Sequence, residues 1–269
     1  MDIDHLREWQ GRTQEVDQVL APFPAAAMAG LLNREAVPKH GDELPVPWHW
    51  LYFLDTPQRS EVGVDGHPKP GGFLPPVPLP RRMWAASRID VRLPLVIGEA
   101  ARKVSTVQKV DLKQGKTGPL VFVTVHHDYH QEGAHCLHEE QDIVYREAPR
   151  APAPLPVGDP APDRAEWSSA FQPDPATLLR FSALTYNGHR IHYDRDYAVR
   201  EEHYPALVVH GPLLATLLLD LQQRCRPKAR LKRFEFRAQR PAFDTDVIHL
   251  RGQPREGGAD LWTAHPQGF

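Results

Sequence analysis

The chain has 269 residues, of which 41% are apolar and 25% are charged, and its formal net charge is −2. This balance is ordinary for a globular protein with a real core, and it gives no bulk reason to expect nucleic acid or an anionic membrane as a partner. The 2 cysteines are too few for a disulfide framework and lack a zinc-binding spacing. No apolar run reaches the roughly 18 residues of a membrane span, and the acidic, polar start lacks a secretory pattern. We therefore expect a soluble cytoplasmic protein.

The N-terminal part of the sequence predicts short helices followed by a long loop. Residues 2–20 alternate charged and apolar positions, which indicates a short helix and then a strand. Residues 23–35 are rich in Ala and Leu at helical spacing, and the aromatic run at residues 48–54 follows a Pro entry, which predicts a buried helix. Residues 56–82 are crowded with Pro and Gly, so we expect a long loop that either wraps the surface or closes a site.

Strands and a linker are predicted next. Between residues 83 and 145 the apolar pattern changes to a period of two, which is typical of strands. The predicted strands are residues 87–95, 103–110, 120–126 and 139–145, with a hairpin turn at residues 114–118. Residues 148–164 are rich in Pro and Ala, and we interpret them as an extended linker. The sequence thus predicts an N-terminal domain at residues 1–147 and a C-terminal domain at residues 165–269.

The C-terminal part repeats this order of elements. The predicted elements are a strand at residues 178–185, a polar segment, a helix at residues 212–224, and strands at residues 231–240, 245–251 and 260–265. Residues 213–221 are apolar all round, which indicates a helix without a solvent face, enclosed by a sheet. A weak internal repeat relates residues 92–99 to residues 239–246, because in both a strand ends at Pro and an acidic turn starts the next strand. We therefore expect an α+β protein made of two copies of one module.

Polar groups with complementary chemistry precede the apolar helix. His192 is the side chain suited to exchanging protons near neutral pH, and Asn187 can hold a water or a carbonyl through its amide. The Gly211 N–H at the expected helix start carries the positive end of the helix dipole, which suits a developing oxyanion. This set points to chemistry on a carbonyl compound through an enolate. No nucleophile stands out, because Ser182 is expected on a strand and lacks a Gly-x-Ser-x-Gly context.

Plainer interpretations of the histidines stay open at this point. A single His at the end of a strand is more often structural than catalytic. The spacing His189-x-x-His192 also occurs at residues 127–130 and 135–138, so it is common in this His-rich chain. The sequence has no HExxH signature, and no carboxylate or Cys completes a recognisable ligand set. We therefore expect no metal site.

Several motifs resemble those of the MaoC-like hot-dog hydratases. They are FSALTYNGHRIHYDRDYA at residues 181–198, Tyr204-Pro205, and Val208-Val209-His210-Gly211-Pro212. More closely, they are similar to a branch that includes mesaconyl-C4-CoA (3-methylfumaryl-CoA) hydratases and mitochondrial 3-hydroxyacyl-thioester dehydratases. GGFLPPVPLPRRMWA at residues 71–85 and GPLVFV at residues 118–123 resemble the N-terminal half of that branch. The resemblance therefore covers most of the chain.

The resemblance implies a double hot-dog, in which two antiparallel sheets each wrap a central apolar helix. The N-terminal copy would have lost its catalytic residues, and the C-terminal copy would keep them. The family pattern Asp-x-Asn-Pro-x-His places the catalytic His at His192, but Asn187 stands at its Asp position and Arg190 at its Pro position. What carries over is His192 as acid/base and Gly211 as donor to the thioester carbonyl, with Asn187 orienting water.

The implied activity is reversible hydration of a 2-enoyl-CoA thioester, with a short branched dicarboxylyl-CoA such as mesaconyl-C4-CoA as the expected substrate. His189 is expected as a second proton carrier, and Asp194 either fixes the His192 tautomer or caps the following turn. The substrate-binding candidates are Arg190, Arg195 and Tyr186. A basic cluster could meet the CoA phosphates: Lys228, Arg230, Lys232 and Arg233. No metal or redox cofactor is expected, and a homodimer is one possible assembly.

Two other functions would use the same features. An acyl-CoA thioesterase would share the fold and the oxyanion donor. It needs a carboxylate or a nucleophile near the carbonyl, and Asn187 in place of Asp argues against it. A non-catalytic module that binds acyl thioesters would need no acid/base group at all.

Overall fold

The computed structural model describes residues 1–115, 118–148 and 158–269. The strands are Thr13–Val19 (β1), Arg81–Val91 (β2), Ala100–Gly115 (β3), Gly118–Gln131 (β4), Ala134–Arg146 (β5), Trp167–Phe171 (β6), Arg233–Arg237 (β7), Ile248–Arg255 (β8) and Gly258–Ala264 (β9). The α-helices are Ile3–Arg7 (α1), Pro22–Leu31 (α2), Pro175–Leu184 (α3) and Gly211–Cys225 (α4). Single helical turns lie at Trp48–Leu51, Arg59–Glu61, Arg190–His192 and Tyr197–Glu201. Within these described ranges, no helix combines the length and the apolar character that crossing a bilayer requires.

The strands form two antiparallel sheets. A six-stranded sheet has the order β1-β3-β4-β5-β2-β7, and a three-stranded sheet has the order β6-β8-β9. The strands predicted between residues 83 and 145 are confirmed, and β3 and β4 run well past their apolar stretches because polar outer-face residues continue the ladder. Residues 116 and 117 of the predicted turn lie outside the described residues, and the pair Gly115–Gly118 brackets them.

Strand β7 joins the two halves of the chain. The strand predicted at residues 231–240 is confirmed as β7, but it pairs antiparallel with β2, from Ala86–Arg237 to Asp90–Arg233. A strand from the C-terminal half therefore extends the sheet of the N-terminal half. Sequence periodicity indicates that a segment is a strand, but it does not say which edge the strand will join.

Helix α4 is enclosed as its composition predicted. It begins at Gly211 and carries eight buried residues: Leu213, Ala215, Thr216, Leu217, Leu218, Leu219, Asp220 and Leu221. Ala215 and Leu219 pack on Ile89 of β2 and Phe234 of β7. Other leucines of α4 pack in the main core with Ile248 of β8. The helix thus lies between the two sheets, and only its last residues, 223–225, are exposed.

The strand predicted at residues 178–185 is wrong, because this segment is helix α3. Asp174 caps the helix, and its Oδ1 accepts hydrogen bonds from the N–H groups of Ala176 (2.9 Å) and Thr177 (3.0 Å). Pro175 occupies the first helical position, where its fixed φ is favourable. The buried residues Leu178, Phe181 and Ser182 follow helical spacing. The strand of this region is β6, just upstream.

The internal repeat corresponds to two equivalent structural positions. The Leu44 N–H donates to the Leu95 carbonyl (2.7 Å), and the Val209 N–H donates to the Ala242 carbonyl (2.8 Å). In each copy, the segment before the central helix thus pairs with a repeat segment. In the N-terminal copy the helix predicted at residues 48–54 is reduced to the buried turn Trp48–Leu51. The architecture is the expected α+β double hot-dog.

The division into domains stays a prediction. Residues 149–157 of the predicted linker lie outside the described residues.

Candidate active site

A cleft of about 2670 Å³ brings together residues from both halves of the chain. Asn187, His192 and Gly211 of the C-terminal half line it, and so do His67 and Arg82 of the N-terminal half. The residues singled out in the sequence as the catalytic set are therefore collected at one site. The N-terminal half contributes groups that the sequence did not indicate.

His192 is held in one tautomer. It ends the turn Arg190–His192, and its ring is buried. Its Nδ1 lies 2.7 Å from the Val208 carbonyl oxygen, so Nδ1–H donates and Nε2 keeps the lone pair. Burial lowers the pKa of His192 to about 4, against a raising effect of the Val208 hydrogen bond and with a further lowering by His67. His192 is therefore neutral near pH 7, and its Nε2 is free to accept a proton.

His210 packs against His192 and was missed in the sequence. The two rings are stacked with their centres 3.7 Å apart and an interplanar angle of 19°. His210 Nε2 lies 2.8 Å from the Ser182 hydroxyl of α3. Burial lowers the pKa of His210 well below its usual range. A neutral His210 fixes the plane of the His192 ring without adding charge, and helix α3 is what brings Ser182 to it.

Gly211 offers a backbone donor at the start of α4. It is the first residue of the helix and lines the cleft. The first N–H groups of a helix have no intrahelical acceptor, and they carry the positive end of its dipole. The next residue, Pro212, has no N–H. The Gly211 N–H is therefore the donor at the tip of this helix.

Asn187 is oriented by its neighbours. Its Oδ1 accepts a hydrogen bond from the His189 N–H (3.0 Å), and its own N–H donates to the Ser182 carbonyl (2.8 Å). This leaves the Asn187 amide NH₂ as a donor in the cleft. Tyr186, beside it, is exposed and also lines the cleft.

The other charged candidates of this segment lie outside the cleft lining. Arg190 binds Asp194 (Nη2–Oδ2 2.8 Å) and the Val64 carbonyl (3.0 Å), and Arg195 binds Asp244 (Nη2–Oδ2 2.5 Å). Asp194 Oδ1 accepts the Tyr197 N–H, and this contact, with Arg190, lowers the pKa of Asp194. These contacts hold the backbone around His192. The tautomer of His192 is fixed by Val208 rather than by Asp194.

The long loop closes on the site. The Arg190 N–H donates to the Asp65 carbonyl (2.9 Å), and Arg190 Nη1 reaches Val64. Gly66 has a φ of +90°, and a Cβ atom there would lie 1.8 Å from the Gly188 carbonyl oxygen. Of the two roles that the sequence left open for residues 56–82, closing a site is the one that these contacts support.

The loop delivers a carboxylate–imidazole pair. His67 Nδ1 lies 2.8 Å from Asp65 Oδ2, and the His67 ring lies 4.1 Å from the ring of His189, centre to centre. His189 in turn meets His192 edge to face at 5.5 Å. The sequence offered only the Pro and Gly density of the loop as a signal, so Asp65 and His67 were missed.

Burial governs the protonation of the imidazole row, which consists of Asp65, His67, His189 and His192. Burial lowers the pKa of His67. It also lowers the pKa of His189, to about 2, and the charges of His67 and His192 lower the pKa of His189 further. Burial works to raise the pKa of Asp65, but hydrogen bonds and charge from His67 outweigh it and bring the pKa to about 2. The row is thus one carboxylate and three neutral imidazoles near pH 7. The donor atoms of Asp65, His67 and His189 lie within 4.8 Å of one another, a spacing that a cation could bridge.

The N-terminal copy keeps a buried carboxylate of its own. Glu139 is fully buried and accepts from His49 (2.9 Å), Trp50 (3.0 Å) and Ser87. Burial is the largest single effect and opposes ionisation, but the contributions of His49, His127 and Ser87 together outweigh it and bring the pKa of Glu139 to about 2. The carboxylate is saturated by these donors, which is the arrangement of a structural charge in a core.

Solved structures define the class of fold. A MaoC-like dehydratase superposes with a TM-score of 0.70 at 12% identity, covering 97% of this chain and 95% of that chain. HtdX of Mycobacterium tuberculosis superposes with a TM-score of 0.65 at 16% identity, covering 96% of each chain. A further M. tuberculosis protein described as having a double hot-dog fold gives a TM-score of 0.51 at 14% identity, covering 94% of this chain and 88% of that one. The chain has the MaoC-like double hot-dog fold.

Sequence comparison defines the family. The family model for hydroxyacyl-thioester dehydratase type 2 matches residues 47–244. Mesaconyl-C(4)-CoA hydratase of Chloroflexus aurantiacus is 46% identical over 263 residues, which is 97% of this chain and 93% of that protein. The mitochondrial hydroxyacyl-thioester dehydratase type 2 of Schizosaccharomyces pombe is 27% identical over 231 residues, 76% of this chain and 75% of that protein. This chain belongs to the hydroxyacyl-thioester dehydratase type 2 family, which confirms the resemblance found in the sequence.

Proposed function

We propose that this protein is a hydro-lyase that catalyses the reversible hydration of a 2-enoyl-CoA thioester to a 3-hydroxyacyl-CoA thioester. The observation that carries the proposal is the neutral His192, whose Nδ1–H is held by the Val208 carbonyl and whose ring lines the cleft with the N-terminal residue of α4. The relatives are named as a hydratase and a dehydratase of thioesters, which supports the same reaction class.

The groups at the cleft suit a water addition through an enolate. His192 Nε2 takes a proton from water as the water oxygen bonds to the β-carbon of the enoyl group. Electrons of the double bond move to the thioester carbonyl oxygen, and this oxygen accepts a hydrogen bond from the Gly211 N–H. One proton then adds to the α-carbon in exchange for the proton that His192 took from water, so the addition balances without any change of oxidation state and calls for no redox cofactor. A positioned acid/base contributes about 10²–10⁴-fold in rate, and one oxyanion donor about 2.7–4 kcal/mol.

The carboxylate that the family pattern expects at position 187 has a counterpart across the cleft. Asp65 holds His67, and His67 contacts His189, the neighbour of His192. We assign to His67 the second proton-handling role, with Asp65 stabilising its protonated form. Asn187 then orients the water through its amide. In this assignment the catalytic set combines residues of the C-terminal half, residues 165–269, with Asp65 and His67 from the loop of the N-terminal half.

The substrate class we favour is a short branched dicarboxylyl-CoA such as mesaconyl-C4-CoA, the compound in the name of the relative that is 46% identical. Its free carboxylate needs a cation. Arg82 lines the cleft, and its charge lowers the pKa of both His67 and His189, so it lies within electrostatic reach of them. The adjacent Arg81 is paired with Glu202, whereas Arg82 has no such partner among the ion pairs of the described residues. We assign the substrate carboxylate to Arg82.

The CoA phosphates have a basic rim available. Three exposed cations after α4 line the cleft: Arg226, Arg230 and Lys232. Of these, Arg230 has one long ion pair, with Glu43 at 3.8 Å. Arg233 also lines the cleft but is bound to Asp90 (2.8 Å) and Glu235 (2.6 Å), so its charge is already balanced. We assign the phosphates of CoA to the first three residues.

One assay distinguishes the proposal from its competitors. The purified protein is offered mesaconyl-C4-CoA, crotonyl-CoA and a long-chain enoyl-CoA, and the enoyl absorbance and the free thiol are followed together. Loss of enoyl absorbance without thiol release supports the hydratase. Release of free CoA supports a thioesterase, and tight binding of every thioester without turnover supports a binding module.

A further inference from the structure

The outer face of the β4–β5 hairpin carries a row of imidazoles and carboxylates that the proposed reaction does not use. The row consists of three successive cross-strand pairs: His126–Glu140, Asp128–His138 and His130–His135. None of these side chains belongs to the cleft lining. On β4 the alternation of the strand places Val125, His127 and Tyr129 on the inner face and His126, Asp128 and His130 on the outer face.

A β-bulge brings His135 and His138 onto one face. Positions three apart on a regular strand point to opposite faces. Here the register between β4 and β5 shifts, and Cys136 and Leu137 are both buried, at 3% and 2% exposure. The two histidines on either side of them are half-buried and both contact Asp128 on the neighbouring strand. The bulge therefore converts a His-x-x-His spacing, which is uninformative on a regular strand, into a pair of converging imidazoles.

The geometry around Asp128 is that of a ligand set. Asp128 Oδ1 lies 2.7 Å from His138 Nδ1 and 2.9 Å from His135 Nε2. The three donor atoms lie within 4.8 Å of one another. Ligand atoms at zinc–nitrogen and zinc–oxygen distances of roughly 2.0–2.2 Å in a tetrahedron are about 3.3–3.6 Å apart, so a small adjustment admits an ion. His135 Nε2 also lies 2.9 Å from the Leu137 carbonyl, and ligation would replace that hydrogen bond.

The neighbouring triad is a poorer site. His126, His138 and Glu140 also lie within ligand distance of one another. However, Glu140 is bound by Arg88 (Nε–Oε2 2.5 Å), and a guanidinium at that distance repels a second cation. In the described part of the chain, the ion-pair partners of Asp128 are the imidazoles of His135 and His138, which become neutral ligands on losing a proton.

We propose that Asp128, His135 and His138 bind one divalent transition-metal ion, with Zn²⁺ as the ion tested. Two imidazoles and a carboxylate suit borderline ions such as Zn²⁺, Co²⁺ and Ni²⁺ and are a poor set for Mg²⁺ or Ca²⁺. The side chains are 33%, 24% and 23% exposed, so the ion is reached from solvent and water completes its coordination. His130 stacks on His135 with the ring centres 4.8 Å apart, so it supports the orientation of that imidazole.

Zinc binding by the full-length, tag-free protein tests the proposal. Calorimetry with ZnCl₂ at pH 7.5 is compared between the wild type and H135A and H138A, and each variant is expected to bind one equivalent fewer. The test compares the number of zinc ions bound by the wild type and by each variant. An ion bound in the cleft would be counted in all of them and would not change this difference. MgCl₂ is expected to give no saturable heat at this site. Circular dichroism verifies that each variant is folded.

The variant H126A is the matched control, because it removes an imidazole of the same row that belongs to the other triad. It is expected to keep the equivalent that H138A loses. Unchanged zinc stoichiometry in both H135A and H138A would overturn the proposal, and so would loss of the equivalent in H126A alone. Hydration activity is expected to be unchanged in H138A, since these side chains lie outside the cleft, and the test is independent of the proposed reaction.

Discussion

Gly66 and Gly188 meet backbone to backbone where the Pro-rich loop reaches the segment that carries His192. A Cβ atom on Gly66 would lie 1.8 Å from the Gly188 carbonyl oxygen, and one on Gly188 would lie 2.7 Å from the Gly66 carbonyl oxygen. The positive φ of Gly66 is a second reason for glycine at that position. The approach of Asp65 and His67 to the imidazole row therefore depends on two missing side chains.

The substitution G66A is expected to displace the loop and to lower kcat/KM by about 10²-fold, because a shift of roughly 1 Å in positioning costs that much. Steady-state hydration kinetics measure the effect. The matched control is G41A, since Gly41 also has a positive φ, lies outside the cleft lining and has nothing within 4 Å of its added Cβ. G41A shares the backbone strain and lacks the clash, so its kcat/KM should stay near that of the wild type. Equal kinetics in the two variants would contradict this account of the loop.

Replacing His192 with Ala is expected to lower kcat by about 10²–10⁴-fold, since the acid/base group is lost. The affinity for a saturated acyl-CoA should be little changed, and calorimetry measures it. H5A, a substitution on the exposed part of α1, is the control for a surface histidine. A kcat in H192A close to that of wild type would assign the reaction to another residue.

The role of His67 is tested by restoring the family pattern. H67A is expected to lower kcat by at least tenfold, and D65N should have a smaller effect in the same direction because the imidazole is still present. In the double variant N187D/H67A, a carboxylate stands again at the position where the family pattern has Asp. Partial recovery of kcat relative to H67A is expected. No recovery, together with a normal kcat in D65N, would leave His67 with a structural role only.

Arg82 is expected to determine the preference for a free carboxylate. R82Q should raise KM for mesaconyl-C4-CoA by roughly tenfold or more, the loss expected when a charged hydrogen bond of about 1.5–3 kcal/mol is removed. Crotonyl-CoA has no second carboxylate and serves as the internal control, so its KM should be little changed. Equal increases for both substrates would instead place the CoA moiety at Arg82.

The pH dependence of kcat/KM should follow the buried His192. Burial brings its pKa to about 4, and the base form is the active one. The rate should therefore be constant from neutral pH down to about pH 5 and fall below that. A fall with an apparent pKa near the ordinary value of roughly 6.5 would contradict the burial of the free-enzyme histidine.

Stability has to be measured over the same range. The pKa of His192 is lower in the folded chain than in the unfolded chain, where it is about 6.5, so the unfolded chain binds more protons in between. Stability from this group is complete above the unfolded value and is lost as pH falls through the folded one. Denaturant unfolding at each pH separates this loss from the loss of the base.

Local signals in the sequence were sufficient for much of the fold and for one face of the site. The run at residues 213–221, apolar except for Thr216 and Asp220, indicated that α4 would be enclosed, and period-two patterns located the strands. The Gly-Pro start of α4 and His192 indicated the two groups that we propose as oxyanion donor and base. The segment at residues 178–185 was mistaken for a strand, although Asp174-Pro175 and the spacing of Leu178 and Phe181 carry a helix signal.

The tertiary structure alone decided what meets His192. Arg190 and Val64 are 126 positions apart, and no periodicity or spacing relates positions so distant. Sequence periodicity and spacing likewise do not indicate that His67 lies beside His189, that Arg82 lines the cleft, or that β7 pairs with β2. Contacts between distant segments depend on the packing of whole elements, which local propensity does not encode. The sequence determined the chemistry of His192, and the fold determined the carboxylate and imidazole that stand next to it.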